Sequence, residues 1–214
     1  TSRAELLAGV VERADEYLQE TEMTFGETTI PWPPSEIPEG EGGTRWNPMT
    51  GGITSRLMDL AVAYQGTGDE RYGRRAVELL LAISNWPMWY DPVNDRPSLD
   101  VGRMSQGAAW AYDLCHDLMT DQERAKAAQA LRRNTLIPLY EALSRGMGNL
   151  NSSALWMIGL GSAAVATLGE VREPEVADAP DFGDRSGRRG DLVERAVAGL
   201  VADQRAAPVE GELE

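Results

Sequence analysis

Cysteine and histidine each occur once in this 214-residue chain, as Cys115 and His116, and Lys126 is its single lysine. One thiol excludes an internal disulfide and any Cys-based zinc site, and one imidazole excludes a multi-His metal cluster. No metal and no other cofactor is therefore expected. Long apolar runs are missing too: the longest, Ile158 to Leu168, is too short and too rich in Gly and Ala to span a bilayer. No secretory leader is visible. The start, Thr1 to Leu7, already reads as a capped amphipathic helix, which suits a mature, processed chain or a trimmed one. Positive charge is scarce, with 20 Lys and Arg against 34 Asp and Glu and a net charge of −14. That balance argues against nucleic acid and against an anionic membrane surface as partners. An anionic polysaccharide stays open, because a cluster of Arg in a cleft overrides the global sign locally. Every cation but Lys126 is Arg, whose planar fork suits carboxylate and sulfate. GC-rich codon usage would produce the same bias.

What remains is ordinary for a folded domain: 42% hydrophobic and 25% charged residues, and a length that suits one core, so residues 1–214 are expected as one domain. Two Phe stand against six Trp and six Tyr. Trp and Tyr join an apolar face to a polar tip, which fits surfaces that meet sugars and also half-buried packing.

Apolar spacing predicts a helix from Ser2 to Glu20, then a Pro/Gly/Glu-rich loop to Gly52 holding Trp32 and Trp46. From Ile53 a stripe of Ile53, Leu57, Leu60 and Tyr64 predicts a second helix, stopped at Gly66-Thr67-Gly68. Asp69 caps a third, and an aromatic loop follows from Trp86 to Pro92. A fourth helix is predicted from Ser98 to Leu118. Thr120 and Glu123 form a capping box for a fifth, which Pro138 must kink or break. A sixth spans Ser152 to Leu168 and a seventh runs from Asp191 to Arg205, with a charged loop between them that carries Arg185, Arg188 and Arg189. No run alternates convincingly between apolar and polar residues. Helices joined as antiparallel hairpins, without a sustained heptad, predict a layered all-α array, either an open solenoid or a closed toroid.

Four stretches carry a family resemblance. Leu60 to Tyr72, Trp86 to Trp89 with Leu99-Asp100 and Ala109 to Asp113, Leu118 to Arg124, and Asn149-Leu150-Asn151 with Gly159 and Gly161 resemble, in order and spacing, segments of heparinase II/III-like polysaccharide lyases, including alginate lyase-like members. The resemblance covers residues 50 to 170. It implies an incomplete (α/α) toroid of antiparallel helical hairpins, here the amino-terminal part of a longer protein whose β-sandwich domain lies outside this chain. It also implies β-elimination on a uronic-acid polysaccharide. In that reaction one group neutralises the uronate carboxylate so that the C5 proton becomes acidic. A base then removes that proton while an acid protonates the departing O4. A secreted or periplasmic location fits such an enzyme, and the oligomeric state is left open.

Carried over by position, Asn149 matches the family's carboxylate-neutralising residue, and it also reads as a cap for the helix that follows. The family's next residue is Trp where this chain has Leu150, so stacking is not expected there. The family's catalytic Tyr follows an acidic-Gly segment resembling Val209 to Glu212, which places the proton-transfer Tyr and His beyond Glu214. Asn151 reads as a cap or a substrate contact. Trp86, Trp89 and Tyr90 read as sugar-stacking residues or as core. Arg103 shares a helix face with Gln106 and Trp110 and can bind a uronate or sulfate if that face lines a cleft. Tyr112 reads as a support within the toroid or as part of the substrate site. His116, three residues after Asp113, reads as a surface group beside a helix C-terminus. Asp59, Asp69, Asp91, Asp95 and Asp100 keep a rival open, a toroid glycoside hydrolase using paired carboxylates. A non-catalytic carbohydrate-binding helical module is the other.

Overall fold

The computed structural model describes residues 2–26, 28–37, 46–91, 97–147 and 150–168. The chain divides into two units, Thr1–Val171 and Arg172–Glu214. All the described residues belong to the first. The expected seventh helix, the basic run at residues 185–189 and the Val209–Glu212 segment lie outside the described residues.

Helix α1 (Arg3–Gln19) begins with a reciprocal cap: the Ser2 hydroxyl accepts from the Glu5 amide at 3.2 Å, and Glu5 accepts from the Ser2 amide at 2.7 Å. A short antiparallel hairpin follows, β1 (Glu22–Phe25) and β2 (Thr28–Pro31), turning at Gly26 with φ of +64°. The Pro/Gly/Glu-rich composition predicts only a loop here. The alternation is real, with Met23, Phe25 and Ile30 buried between exposed neighbours, but two four-residue strands are too short to establish a period of two. Helix α2 (Trp46–Thr67) starts seven residues before the predicted Ile53. Trp46, Met49 and Thr50 continue the buried face of Ile53 and Leu57, and burial on that face holds the helix through Gly51-Gly52. Gly52 is also what admits the hairpin, since a Cβ there would overlap the Cδ1–Cε1 edge of the Phe25 ring.

Helix α3 (Glu70–Ile83) is capped by Asp69 after Gly68 at φ of +75°. Helix α4 (Leu99–Leu114) ends sooner than predicted and passes into a 3₁₀ turn, His116–Leu118. Helix α5 (Asp121–Leu131) carries the expected Thr120–Glu123 capping box. The predicted disruption at Pro138 takes the form of a π-helical stretch, Arg132–Leu136, leading into α6 (Ile137–Ser144). Proline lacks an N–H and its ring excludes the carbonyl four residues back, so the wider turn lets the chain run on. Helix α7 (Leu150–Ala166) completes the described part.

Side-chain pairings fix the arrangement. Arg13 with Asp59 and Arg56 with Glu20 set α1 antiparallel to α2. The Tyr72 hydroxyl donates to Asp15, and Arg75 donates to the Tyr17 carbonyl, so α1 and α3 run the same way. Between α2 and α4, Asn47 pairs with Arg103, Thr54 packs on Gly107, and Gln65 donates to the Leu114 carbonyl. Those two helices are therefore parallel and in register. Helix α7 continues the row. Trp156 donates to the Ser98 carbonyl, and Gly102 and Gly159 bring the α4 and α7 backbones together. The result is an all-α array of two layers, the parallel row α2–α4–α7 backed by α1, α3 and the α5–α6 segment, with the core between them.

The hairpin is pinned by two arginines. The Arg56 guanidinium grips both Glu20 oxygens at 2.7 and 2.6 Å while lying 4.8 Å from the Tyr17 ring centroid and 5.2 Å from that of Phe25. Arg75 lies 4.0 Å over the Trp32 ring, and the Trp32 indole donates to Glu78 at 2.9 Å. The two Trp expected in a loop thus end as a clamp residue, Trp32, and as the buried start of α2, Trp46.

Candidate functional site

Because α2, α4 and α7 run in the same direction, their N-termini share one rim. Asn47 is exposed in the first turn of α2, Arg103 in the second turn of α4, and Asn151 in the first turn of α7. Arg103 donates to the Asn47 side-chain oxygen at 3.3 Å. Each helix N-terminus carries a partial positive charge, α4 has no side-chain cap bond at Ser98, and Arg103 adds a full charge, so the rim suits an anion. Asn149 and its neighbour Gly148 lie outside the described residues.

Buried at the same rim is Asp100, in the first turn of α4. Its Oδ2 accepts from the Ser98 hydroxyl at 3.3 Å, while Oδ1 has no hydrogen-bond partner among the described residues. Burial pushes its carboxyl above the usual carboxylate range, and Asp91, also buried, adds to the rise; Ser98 and Arg103 oppose it. The other carboxylates singled out by the sequence are committed elsewhere. Asp59 is ion-paired with Arg13, and Asp69 caps α3 and holds Arg71. Asp95 lies outside the described residues.

The aromatic candidates divide sharply. Trp86 and Trp89 are fully buried, and their indoles donate to the carbonyls of Pro34 at 2.8 Å and Ile83 at 2.9 Å. Trp46 packs on Trp86 with ring centroids 6.1 Å apart. Of the two roles open to Trp86 and Trp89, core packing is therefore the one in place. Neither presents a face for a sugar. Tyr90 is half-buried. Tyr112 is fully buried, edge-on to the half-buried His116 at 5.6 Å, beside the end of α4.

Arg103 does share a face with Gln106 and Trp110, as its spacing predicts, and Asp113 extends the stripe. Its far end opens into a groove of about 420 Å³ between α4 and α7, lined by Ala109, Trp110, Asp113, Gly161, Ser162 and Val165 among others. Trp110 and Asp113 were not singled out as site residues by sequence. The 3-4-3 spacing from Arg103 to Asp113 is the signal that locates them.

Among the described residues no cluster of His, Cys, Asp and Glu can hold a metal ion, and no helix is long and apolar enough to cross a membrane. No protein-family model matches this chain, and no curated protein sequence matches it either.

Proposed function

We propose that this chain is the amino-terminal portion of a polysaccharide lyase that cleaves a uronic-acid-containing polysaccharide by β-elimination, and that its layered hairpins belong to an incomplete α/α toroid. The observation that carries this reading is the rim. Three parallel helices direct their N-termini to one edge, where Arg103 pairs with Asn47 and Asn151 stands exposed in the first turn of α7. A uronate carboxylate held there has its charge offset by the guanidinium and the helix ends. The Asn149 amide, donating to that carboxylate, further stabilises the enolate-like charge that develops when the C5 proton leaves. Base and acid are supplied from further along the parent protein.

The test is an elimination assay on the full-length parent protein with uronate polymers. Cleavage creates an unsaturated uronate, read by ultraviolet absorbance. Asn149→Ala is expected to abolish turnover and leave the helical circular dichroism intact; unchanged activity would leave Asn149 as a helix cap only. One observation favours a second reading. Asp91 and the raised-pKa Asp100 lie close enough to influence each other, as an acid and base of a glycoside hydrolase must. Both are buried, which weighs against direct contact with a glycosidic bond. New reducing ends without the ultraviolet signal would select that reading over elimination.

A further inference from the structure

All six tryptophans lie among the described residues, and five are accounted for by the fold. Trp32 stacks under Arg75, Trp46, Trp86 and Trp89 fill the core, and Trp156 ties α7 to the start of α4. Trp110 is different. It is 37% exposed, it stands on the lip of the α4–α7 groove, and its indole N–H has no partner among the described residues. The same holds for its neighbours on the stripe, since neither the Gln106 amide nor the Asp113 carboxylate has a side-chain hydrogen bond or ion pair there. Most of the described arginines have their polar groups engaged, as do four of the six indoles, and the Trp46 N–H, also without a partner among the described residues, is buried in the core. Three consecutive unspent groups reaching the surface along one helix face therefore stand out.

We propose that Trp110 and Asp113 form a carbohydrate subsite that takes an uncharged pyranose ring, with Gln106 and Arg103 contacting the next units of the same chain toward the rim. The indole face covers the C–H face of the ring, Asp113 accepts from its hydroxyls, and the small residues Ala109 and Gly161 leave room beneath it. Charge selects the occupant. Asp113 is the charged residue that lines the groove, so a uronate is repelled at this position. A cation-rich peptide along the same face would meet Arg103. With 1.5 Å per residue, Trp110 lies about 10 Å and Asp113 about 15 Å along the helix from Arg103, the span of an oligosaccharide rather than of a monosaccharide. The subsite rests on the carbohydrate-binding part of the reading above and not on its elimination chemistry.

Titration calorimetry of the full chain with cellohexaose, mannohexaose and hexagalacturonate tests it, together with tryptophan emission. At least one neutral hexamer is expected to bind and to shift emission to the blue. Trp110→Ala should weaken that binding about tenfold, the loss expected when an indole face no longer covers the sugar, while Trp110→Phe keeps most of it. Asp113→Asn should raise the affinity for hexagalacturonate relative to the neutral hexamers, a change in preference that a purely structural role would not produce. Failure of both neutral hexamers to bind, or unchanged binding by Trp110→Ala, overturns the subsite. So does concentration-dependent self-association that Trp110→Ala abolishes, because the groove then serves a second copy of the chain. Trp110-dependent binding without any elimination product in the parent protein would instead overturn the lyase reading and leave the subsite standing.

Discussion

The closest approach in the α2–α4–α7 row is the crossing of α4 and α7, and adding one methyl group there should open it. A Cβ built on Gly102 lies 2.6 Å from the Leu155 carbonyl carbon and 3.0 Å from the Trp156 nitrogen. These are backbone atoms of a helix and cannot rotate aside. The Leu155 carbonyl oxygen is nearer still, so restoring the 3.4 Å of ordinary contact requires α7 to retreat by more than the roughly 0.8 Å that the carbonyl carbon alone would need. Overpacking of this kind costs about 3 kcal/mol at the upper end of its range, while replacing Gly by Ala inside a helix returns about 1 kcal/mol. Gly102→Ala should therefore destabilise the protein by about 2 kcal/mol and lower its Tm by about 4–8 °C. Gly161, on the same α7 helix, is the internal control, because a Cβ there meets nothing within 4 Å. Gly161→Ala should stabilise by up to about 1 kcal/mol and raise Tm by about 2–4 °C. Urea and thermal unfolding followed by circular dichroism at 222 nm, the helical band, measure both variants. Equal stability of Gly102→Ala and Gly161→Ala would refute the claim that backbone contact sets the spacing of α4 and α7.

Asp100 should make stability fall with rising pH. Its carboxyl titrates higher folded than unfolded, so its contribution is fully present below the unfolded value of 3.8 and is lost as pH rises through the folded one. Asp100→Asn should flatten that slope and be more stable than the wild type at neutral pH; urea midpoints across a pH series decide, and an unchanged slope would count against the burial argument. Arg56→Lys keeps the charge but loses the two-pronged grip on Glu20 and the planar stacking on Tyr17 and Phe25. It should cost about 2 kcal/mol, read as a lower urea midpoint.

Helix placement was largely legible because long amphipathic segments repeat their signal over several turns. The capping boxes at Ser2 and Thr120, the Asp69 cap and the Gly68 stop all stand where the sequence puts them. The errors share a cause. The hairpin was too short to show a period, and the first two turns of α2 contain Pro48, Gly51 and Gly52, which read locally as loop and become helix only through burial of Trp46 and Met49. The site was legible in one part: Arg103, Gln106 and Trp110 do share one face of α4, because helical spacing alone dictates it. The aromatic part was not. Six indoles are chemically alike in sequence, and the Pro-stiffened Trp86–Trp89 loop offered no local sign that both rings turn inward.

Sequence alone therefore determined the mostly helical character, the caps and stops, the absence of disulfides, and which side chains of α4 line up together, all of which follow from interactions within a few residues. Tertiary structure decided the rest. It set α2, α4 and α7 parallel through glycine contacts between residues up to 57 apart, Gly102 with Gly159. It left Asp100 Oδ1 without a partner among the described residues, and it placed Trp110, not Trp86 or Trp89, at the edge of a groove. Exposure and proximity depend on which helices pack together, and no short window of sequence contains that information.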